Sequence, residues 1–303
     1  MGNKPRIGFI GIGQMGKPMA GRLVDAGYPV IIYDLSENCV NEFLKKFNAE
    51  KAHTISTLGE KSEIVITMLP DGNAVKSIAI ANENGNRLLG AMAEGSVLID
   101  MSSSLPKTTK IIGEEIEKYG IAMLDAPVSG GVKGATNGTL AIMVGGSPTT
   151  VERCRPILQT MGNRIFETGS LGSGHAMKVL NNLLNAVGLI AASEAIVIGS
   201  KLGLDAELMI DVINASTGRN NSTENKVKQY ILSRKFNSGF SLDLLLKDVS
   251  IAMDLASDNE VPAPMGKVCN EILAAAKASL ISPTDHTEII RWYEKSVKLH
   301  EGS

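Results

Sequence analysis

Short apolar runs alternate with longer amphipathic segments through the first half of the chain. The apolar runs predict strands, because they are five to seven residues long, rich in Val, Ile and Leu, and bounded by polar residues, glycine or proline. They cover residues 6–10, 29–33, 63–69, 96–100, 122–128 and 140–144. The helical segments between them predict an open, doubly wound sheet of α/β type.

The first predicted strand leads directly into the motif Gly-Ile-Gly-Gln-Met-Gly. A helical run follows, then the second strand, and then Asp34, 23 residues after Gly11. This order, with G-x-G-x-x-G after the first strand and an acidic residue after the second, is the dinucleotide-binding fingerprint. Its glycines allow a tight turn, a close approach of the pyrophosphate and close helix packing. The pyrophosphate meets free N–H groups at the helix start. We therefore predict cofactor contacts from Gly11, Gly13, Gln14, Met15 and Gly16.

Asp34 favours NAD over NADP. A carboxylate at the end of the second strand accepts hydrogen bonds from the adenosine ribose and repels a 2′-phosphate. Residues 35–39 (Leu-Ser-Glu-Asn-Cys) supply no cation that would bind such a phosphate. Ligands of these sheets lie beyond the carboxyl ends of the strands. Further cofactor contacts are therefore predicted from Leu69, Pro70, Asn73 and Ser103.

The pattern changes after Gly169, where amphipathic helices replace strands as far as the C-terminus. The longest helical run covers residues 172–202 and continues for roughly 27 residues without proline, about 40 Å at ~1.5 Å per residue. It is apolar on most sides, which indicates burial by neighbours. We predict a Rossmann-type NAD-binding domain at residues 1–165 and an all-α domain for substrate binding and oligomerisation at 166–303, joined by this interdomain helix.

Polar side chains crowd the first turns of the long helix. Lys178, Asn182 and Asn185 are spaced i, i+4 and i+7 and share one face. Burial disfavours an ammonium ion, so a buried lysine can release its proton near neutral pH. Lys178 is therefore our candidate acid/base. His175 is the alternative base, since it lies about 60° from Lys178 around the helix.

A second glycine-rich stretch, residues 125–146, begins within the fifth predicted strand and has its first consecutive glycines just after it. Consecutive glycines let backbone N–H groups converge on an anion, and Ser129 adds a hydroxyl, so a small carboxylate is a suitable ligand. The alternative is a β-hairpin whose glycines only make turns. Farther along, the pair Lys247–Asp248 follows an apolar run, and by itself it fits a solvated helix face.

Composition limits the remaining function classes. Hydrophobic residues make up 44% of the 303-residue chain, so we expect a large core. The net charge is −2, so we expect neither nucleic acid nor an anionic membrane as a partner. The sequence has no C-x-x-C or H-E-x-x-H pattern, so we predict no metal site. Its three cysteines are far apart, which suggests no disulfide framework and favours a reducing, cytoplasmic compartment. We expect no signal peptide, because a strand begins near Arg6. Ser193 and Glu194 argue against a membrane span.

Taken together, these motifs resemble the β-hydroxyacid dehydrogenase family. The resembling stretches begin at Gly8, Asp125, Gly172 and Leu244 and cover nearly the whole chain. The resemblance implies an NAD(P)-dependent oxidoreductase that interconverts a small 3-hydroxy acid and its semialdehyde, with Lys178 as catalytic residue. It also implies that Lys247 lies near the nicotinamide. The residues it implies for the substrate carboxylate are Ser129, Gly130, Gly131 and Asn182.

Two other functions stay open. One is an NADPH-using reductase of a short semialdehyde of the tartronate, succinic or glyoxylate type, against which the residues after the second strand argue. The other is a non-catalytic NAD-binding protein. The substrate side chain is not specified, although 218–223 and 285–292 are candidate pocket segments. The long apolar helix further predicts a homodimer or homotetramer.

Overall fold

The computed structural model describes residues 4–80, 86–281 and 284–297. The chain divides into two compact units, Met1–Lys178 and Val179–Ser303. The first contains a sheet with helices and the second contains helices, which confirms the predicted fold class. The predicted domain limits, 1–165 and 166–303, stay a prediction.

One sheet organises the first unit. Within the described residues its nine strands are β1 (Ile7–Ile10), β2 (Val30–Tyr33), β3 (Glu50–Lys51), β4 (Ile64–Thr67), β5 (Val97–Asp100), β6 (Ala122–Asp125), β7 (Val128–Ser129), β8 (Ala141–Gly145) and β9 (Arg164–Gly169). Their spatial order is β3-β2-β1-β4-β5-β6-β8-β7, and β9 pairs with β8. The strands from β3 to β6 in that order pair in parallel, whereas β8 is antiparallel to β6 and β7. The order reverses between β1 and β4, and this switch point is where such sheets bind ligands.

Three details of the sheet differ from the predicted strands. The predicted strand 122–128 is two strands, β6 and β7, separated at Pro127, which has no N–H to donate to a ladder. The sequence pattern missed β3, which has only two residues, and β9, whose residues are mostly exposed. Neither has the apolar run by which the other strands were recognised.

Seven helices of the first unit pack on both faces of the sheet among the described residues: α1 (Gly16–Asp25), α2 (Glu37–Lys46), α3 (Ile55–Glu60), α4 (Gly72–Ala79), α5 (Pro106–Glu117), α6 (Gly131–Asn137) and α7 (Pro148–Met161). Ile7 and Phe9 of β1 belong to one buried cluster, and Ile10 belongs to the other. Because both faces are covered, the central strands are continuously apolar rather than alternating.

Helix α8 (Ser173–Lys201) begins in the first unit and continues into the second. The other described helices of the second unit are α9 (Ala206–Asn214), α10 (Asn221–Asn225), α11 (Leu242–Asp258), α12 (Pro264–Ser279) and α13 (Ile289–Ser296), with a π-helical segment at Val227–Leu232 and a 3-10 turn at His286–Glu288. Among the described residues, α8 is long and apolar enough to cross a membrane by length and composition alone. It nevertheless buries Lys178, Asn182 and Ser193 within the protein, as expected for a core helix.

Candidate active site

In the motif after β1, a different geometric feature explains each of the three glycines. Gly11 has φ +96°, and a Cβ there would collide with the carbonyl oxygen of Met68. A Cβ on Gly16 would collide with the carbonyl oxygen of Gly11, so the third glycine lets α1 pack against the turn. A Cβ on Gly13 would meet nothing within 4 Å. The open space above Gly13 is where the fingerprint positions a pyrophosphate.

The start of α1 and Asp34 complete this turn. Met15 is the N-cap of α1 and makes no side-chain capping hydrogen bond, so the predicted residues Gln14 and Met15 bring backbone N–H groups to an uncapped helix start. Asp34 accepts a hydrogen bond from the Ile12 N–H (2.7 Å) and another from the Ser36 N–H (2.7 Å). Its carboxylate keeps further acceptor positions. These residues fit a dinucleotide: open space for phosphate, an uncapped helix start and a carboxylate.

The ends of β4 and β5 lie against the same turn. The Leu69 N–H donates to Ser102 Oγ (2.9 Å), and the Leu69 side chain borders Gly11. Ser103 is half-buried after β5, while Pro70 and Asn73 are exposed after β4 and in the first turn of α4. The cofactor residues predicted in the first unit therefore gather at the carboxyl ends of neighbouring strands.

The Ser-Gly-Gly turn joins β7 to α6. Ser129 pairs with Ala141 and is half-buried, while Gly130 (φ +133°) and Gly131 (φ +61°) are exposed. Gly130 is the N-cap of α6, and no side chain caps that helix start. The simple hairpin interpretation is wrong, because α6 lies between β7 and β8. Backbone N–H groups at this turn are thus available to an anion.

Lys178 lies beside this turn. Its side chain is buried, at 9% exposure, and its ammonium nitrogen donates a hydrogen bond to the carbonyl oxygen of Val128 at 2.7 Å. Val128 directly precedes Ser129. The structure therefore brings the predicted acid/base and the predicted carboxylate-binding turn together within the first unit.

Asp125 fixes the start of the helix that carries Lys178. Its Oδ1 accepts the Gly172 N–H and its Oδ2 the His175 N–H, both at 2.7 Å, and its side chain is fully buried. A Cβ on Gly174 would collide with the Met143 carbonyl oxygen, so the first turn of α8 packs directly on the sheet. Sequence reasoning missed Asp125, because no local pattern links a carboxylate to an N–H 47 residues later.

His175 does not have the environment of a general base. It is fully buried, with Nδ1 2.8 Å from Thr109 Oγ1 and Nε2 3.0 Å from the Ser102 carbonyl oxygen. A carbonyl only accepts, so Nε2 donates to it, while Nδ1 shares a hydrogen bond with the Thr109 hydroxyl. With both ring nitrogens engaged, His175 links α5, α8 and the loop after β5.

In the second unit, Asn182 and Asp248 form a buried pair. Asn182 Nδ2 donates to Asp248 Oδ2 at 2.6 Å, and the two side chains are 4% and 1% exposed. Lys247 Nζ lies 3.5 Å from Asp248 Oδ1. The solvated-face interpretation is thus wrong for Asp248. Sequence reasoning noticed the Lys247–Asp248 pair but missed that Asp248 holds Asn182.

The two candidate pocket segments of the second unit are largely structural. Asn220 caps α10, since its Oδ1 accepts the N–H groups of Ser222 (2.8 Å) and Thr223 (3.2 Å). Arg219 is mostly exposed, with Nε 3.6 Å from Glu224 Oε1. In the other segment, Asp285 caps the 3-10 turn. Substrate contacts from Asn220 are therefore disfavoured.

Comparisons with known proteins cover almost the whole chain. The profile of the NAD binding domain of 6-phosphogluconate dehydrogenase matches residues 6–169, and that of the NAD-binding domain of NADP-dependent 3-hydroxyisobutyrate dehydrogenase matches 172–293. The 2-(hydroxymethyl)glutarate dehydrogenase of Eubacterium barkeri is 37% identical over 96% of this chain and 95% of its own. The mitochondrial 3-hydroxyisobutyrate dehydrogenase of Rattus norvegicus is 35% identical, over 96% and 88%. A solved structure, Mycobacterium tuberculosis 3-hydroxyisobutyrate dehydrogenase with L-serine, is 33% identical, covers 96% and 99%, and has a TM-score of 0.87.

Proposed function

The chain belongs to the β-hydroxyacid dehydrogenase family, NAD-binding oxidoreductases of hydroxy acids, and from this premise we propose that Lys178 is its catalytic acid/base. The observation that carries the proposal is the position of the amine, 2.7 Å from the Val128 carbonyl and next to the Ser-Gly-Gly turn. The amine proposed to move a proton thus lies beside the backbone proposed to hold an anion, although the two come from α8 and from the turn after β7.

The substrate class follows from what the relatives' substrates share. 2-(Hydroxymethyl)glutarate, 3-hydroxyisobutyrate and L-serine, named with three proteins similar to this chain, all have the form HOCH₂–CH(X)–COO⁻. The side group X is carboxyethyl, methyl or ammonium, respectively. We propose that this chain oxidises the primary alcohol of such a 3-hydroxy acid to the semialdehyde, or catalyses the reverse reduction.

In the proposed reaction the chain binds, orients and moves a proton. Ser129 and the N–H groups of Gly130 and Gly131 hold the substrate carboxylate, and Asn182, itself oriented by Asp248, contributes an amide. Lys178 in its neutral form accepts the hydroxyl proton and returns it in the reverse direction. Bound NAD⁺ supplies the hydride acceptor. One alcohol and one NAD⁺ thereby give one aldehyde, one NADH and one proton.

The cofactor preference rests on Asp34 and its neighbours. A carboxylate at this position favours the free ribose hydroxyls of NAD, and residues 35–39 carry no cation for a 2′-phosphate. We therefore propose NAD as the preferred cofactor, with Lys247 near the nicotinamide. The competing NADP-dependent function predicts the opposite ratio of kcat/KM values for the two cofactors.

The test is a kinetic panel on wild type, Lys178→Ala and Lys201→Ala. Lys201 is the matched control, because it ends the same helix and is exposed. Wild type should reduce NAD⁺ with at least one of the three acids, and Lys178→Ala should lower kcat about 10²–10⁴-fold. The Kd for NAD⁺ should stay within about twofold, because the amine acts on substrate. Wild-type kcat in Lys178→Ala would refute the assignment, and no turnover with any acid would favour a non-catalytic NAD-binding protein.

We further propose that the protein is a cytoplasmic homodimer or homotetramer. Its second unit exposes large apolar side chains on α8 and α9: Leu184 (74%), Ile198 (61%) and Leu208 (62%). A second copy would remove this apolar surface from water. A 32 kDa species in size-exclusion chromatography would contradict the oligomer.

A further inference from the structure

Three buried titratable side chains of the first unit take no part in the proposed proton transfer. They are Asp100 at the end of β5, Asp125 at the end of β6 and His175 in the first turn of α8, and each is fully buried. Burying carboxyl and imidazole groups is costly unless they find polar partners. These three lie between the strand ends and the helix that carries Lys178, so what they hold in place bears on the reaction.

The imidazole lies between the two carboxyl groups. His175 Nε2 is 3.7 Å from Asp100 Oδ2, and Nδ1 is 3.6 Å from Asp125 Oδ2. Both distances are too long for hydrogen bonds, and the ring nitrogens instead contact the Ser102 carbonyl oxygen (3.0 Å) and Thr109 Oγ1 (2.8 Å). Asp100 Oδ2 has no hydrogen-bond partner among the described residues, so the nearby Nε2–H stabilises it electrostatically. These four neighbours fix the orientation of the ring.

Asp100 fixes the loop that follows β5. Its Oδ1 accepts hydrogen bonds from the Ser102 N–H (3.0 Å) and from Thr67 Oγ1 on β4 (2.9 Å). Ser102 Oγ in turn accepts the Leu69 N–H at 2.9 Å. The loop continues to Ser103, and both Leu69 and Ser103 are predicted cofactor contacts. The loop that would meet the cofactor is therefore held by several bonds of its own.

Asp125 and His175 hold the first turn of α8 in different ways. Asp125 accepts the Gly172 and His175 N–H groups, both at 2.7 Å. Because both bonds go to backbone groups at one end of the helix, they define where the axis begins more than the rotation about it. The imidazole defines that rotation, since it binds a side chain of the same turn to the Ser102 carbonyl oxygen and to Thr109 on α5.

The rotation of this turn determines where the Lys178 amine lies. Lys178 follows His175 by three residues, about 4.5 Å along the axis and about 60° around it. A rotation of the turn would move the amine away from the Val128 carbonyl oxygen, to which it donates at 2.7 Å. A misplacement of about 1 Å at a reacting group can cost about 10²-fold in rate.

We propose that His175 is a positioning residue: bound between Asp100 and Asp125, it sets the Lys178 amine in a fixed place relative to the loop after β5. The inference rests on the proposed function of Lys178. A fully buried side chain with both ring nitrogens engaged fills this role without touching substrate or exchanging a proton with it. His175 thus acts through Lys178.

The test compares the kinetics of His175→Leu and His175→Gln. Leucine is of similar size but binds neither Ser102 nor Thr109, so kcat should fall about 10–100-fold. KM for the acid and the Kd for NAD⁺ should stay within about threefold, because the turn after β7 and the loop after β5 keep their own bonds. Glutamine offers a donor and an acceptor but is no general base, so it should recover most of the lost kcat.

Ile112→Val is the matched control, because Ile112 is fully buried on α5, one helical turn after Thr109. It should loosen packing and lower the Tm, yet leave kcat within about twofold. Equal losses of kcat in His175→Leu and His175→Gln would favour a proton-transfer role for the imidazole and overturn the positioning role. A wild-type kcat in His175→Leu, or an equal loss in Ile112→Val, would overturn it as well.

Hydrogen exchange of the amides of residues 172–178, followed by mass spectrometry on the full chain, tests the inference without turnover. Exchange should be about tenfold faster in His175→Leu than in wild type or His175→Gln, because the first turn opens more easily without its side-chain anchor. Unchanged exchange in His175→Leu would overturn the positioning role even if wild type oxidises an acid. Faster exchange in this variant, with no turnover by wild type, would uphold the anchoring by His175 and refute only the proposed function.

Discussion

The ligand groups proposed in the two units of the chain are of different chemical kinds. In the first unit, the proposed ligand groups are mostly backbone N–H groups at strand ends, at Gly13, Gly130 and Gly131, where open space or a positive φ favours glycine. In the second, they are side chains held by partners on other elements, as Asn182 is by Asp248. A backbone site is specified by a few consecutive residues, whereas a side-chain site is specified by pairs far apart in the sequence. The two kinds should respond differently to substitution.

The largest effect is expected where glycine is required by packing. Gly16→Ala puts a Cβ against the Gly11 carbonyl oxygen, and because backbone cannot easily move away we expect about 3 kcal/mol, the upper end of the range typical of overpacking. The Tm should fall by roughly 6–12 °C, measured by thermal unfolding, at about 2–4 °C per kcal/mol for a unit of this size. A Tm within about 2 °C of wild type would show that the turn shifts to accommodate the methyl group, and that close packing does not require glycine at this position.

Gly13→Ala is the matched contrast within the same motif. Its Cβ meets nothing within 4 Å, so the Tm should stay within about 2 °C of wild type. The methyl group should instead obstruct the pyrophosphate and raise the Kd for NAD⁺ about tenfold or more. Fluorescence titration measures this Kd. An unchanged affinity for NAD⁺ would contradict the proposal that the pyrophosphate approaches the backbone at Gly13.

A smaller effect is expected at the side-chain pair of the second unit. Asp248→Leu removes the acceptor of the Asn182 amide and should lower kcat/KM about 10–100-fold, since an unsatisfied buried donor costs roughly 1–3 kcal/mol. Asp248→Asn keeps an acceptor oxygen and should lose less, and the Kd for NAD⁺ serves as control. Equal losses in both variants would show that charge, rather than the orientation of Asn182, is what Asp248 contributes.

The smallest effect concerns the pH dependence of stability. Burial lowers the folded pKa of Lys226 to about 8, below the ordinary 10.5, so between these values the unfolded state binds more protons and stability rises with pH. The destabilisation is therefore fully present below pH 8 and is lost towards pH 10.5. The excess of the Lys226→Met Tm over the wild-type Tm should therefore fall from pH 7 to pH 10.

Lys228→Met provides the baseline for this measurement, because Lys228 lies two residues later and pairs with Asp211 (2.5 Å). Its Tm difference from wild type should change less over the same pH range than that of Lys226→Met. Asp285, whose charge acts on Lys226, stays ionised throughout, and burial lowers the pKa of His286, so that side chain is neutral above pH 7. A Tm difference for Lys226→Met that grows with pH would contradict the sign of the lysine's shift.

Much of the first unit was predictable from sequence, because its features are local. The strands on both sides of Gly11–Gly16 were recognised as apolar runs, and the glycines as residues that a turn and a close helix require. The exposed strand β9 was missed because it lacks an apolar run. The helical pattern also identified α8 and the shared face of Lys178 and Asn182, since helical periodicity is a property of the sequence alone.

Tertiary structure decided which side chains meet. Asp125 contacts the start of α8 across 47 residues, Asn182 contacts Asp248 across 66, and Lys226 contacts Asn185 across 41. The sequence by itself determined the fold class, the dinucleotide turn and the candidate lysine, because hydrophobic periodicity and glycine geometry act over a few residues. It did not determine which partner orients each polar group, because hydrogen bonds depend on atomic distances that only the packed elements establish.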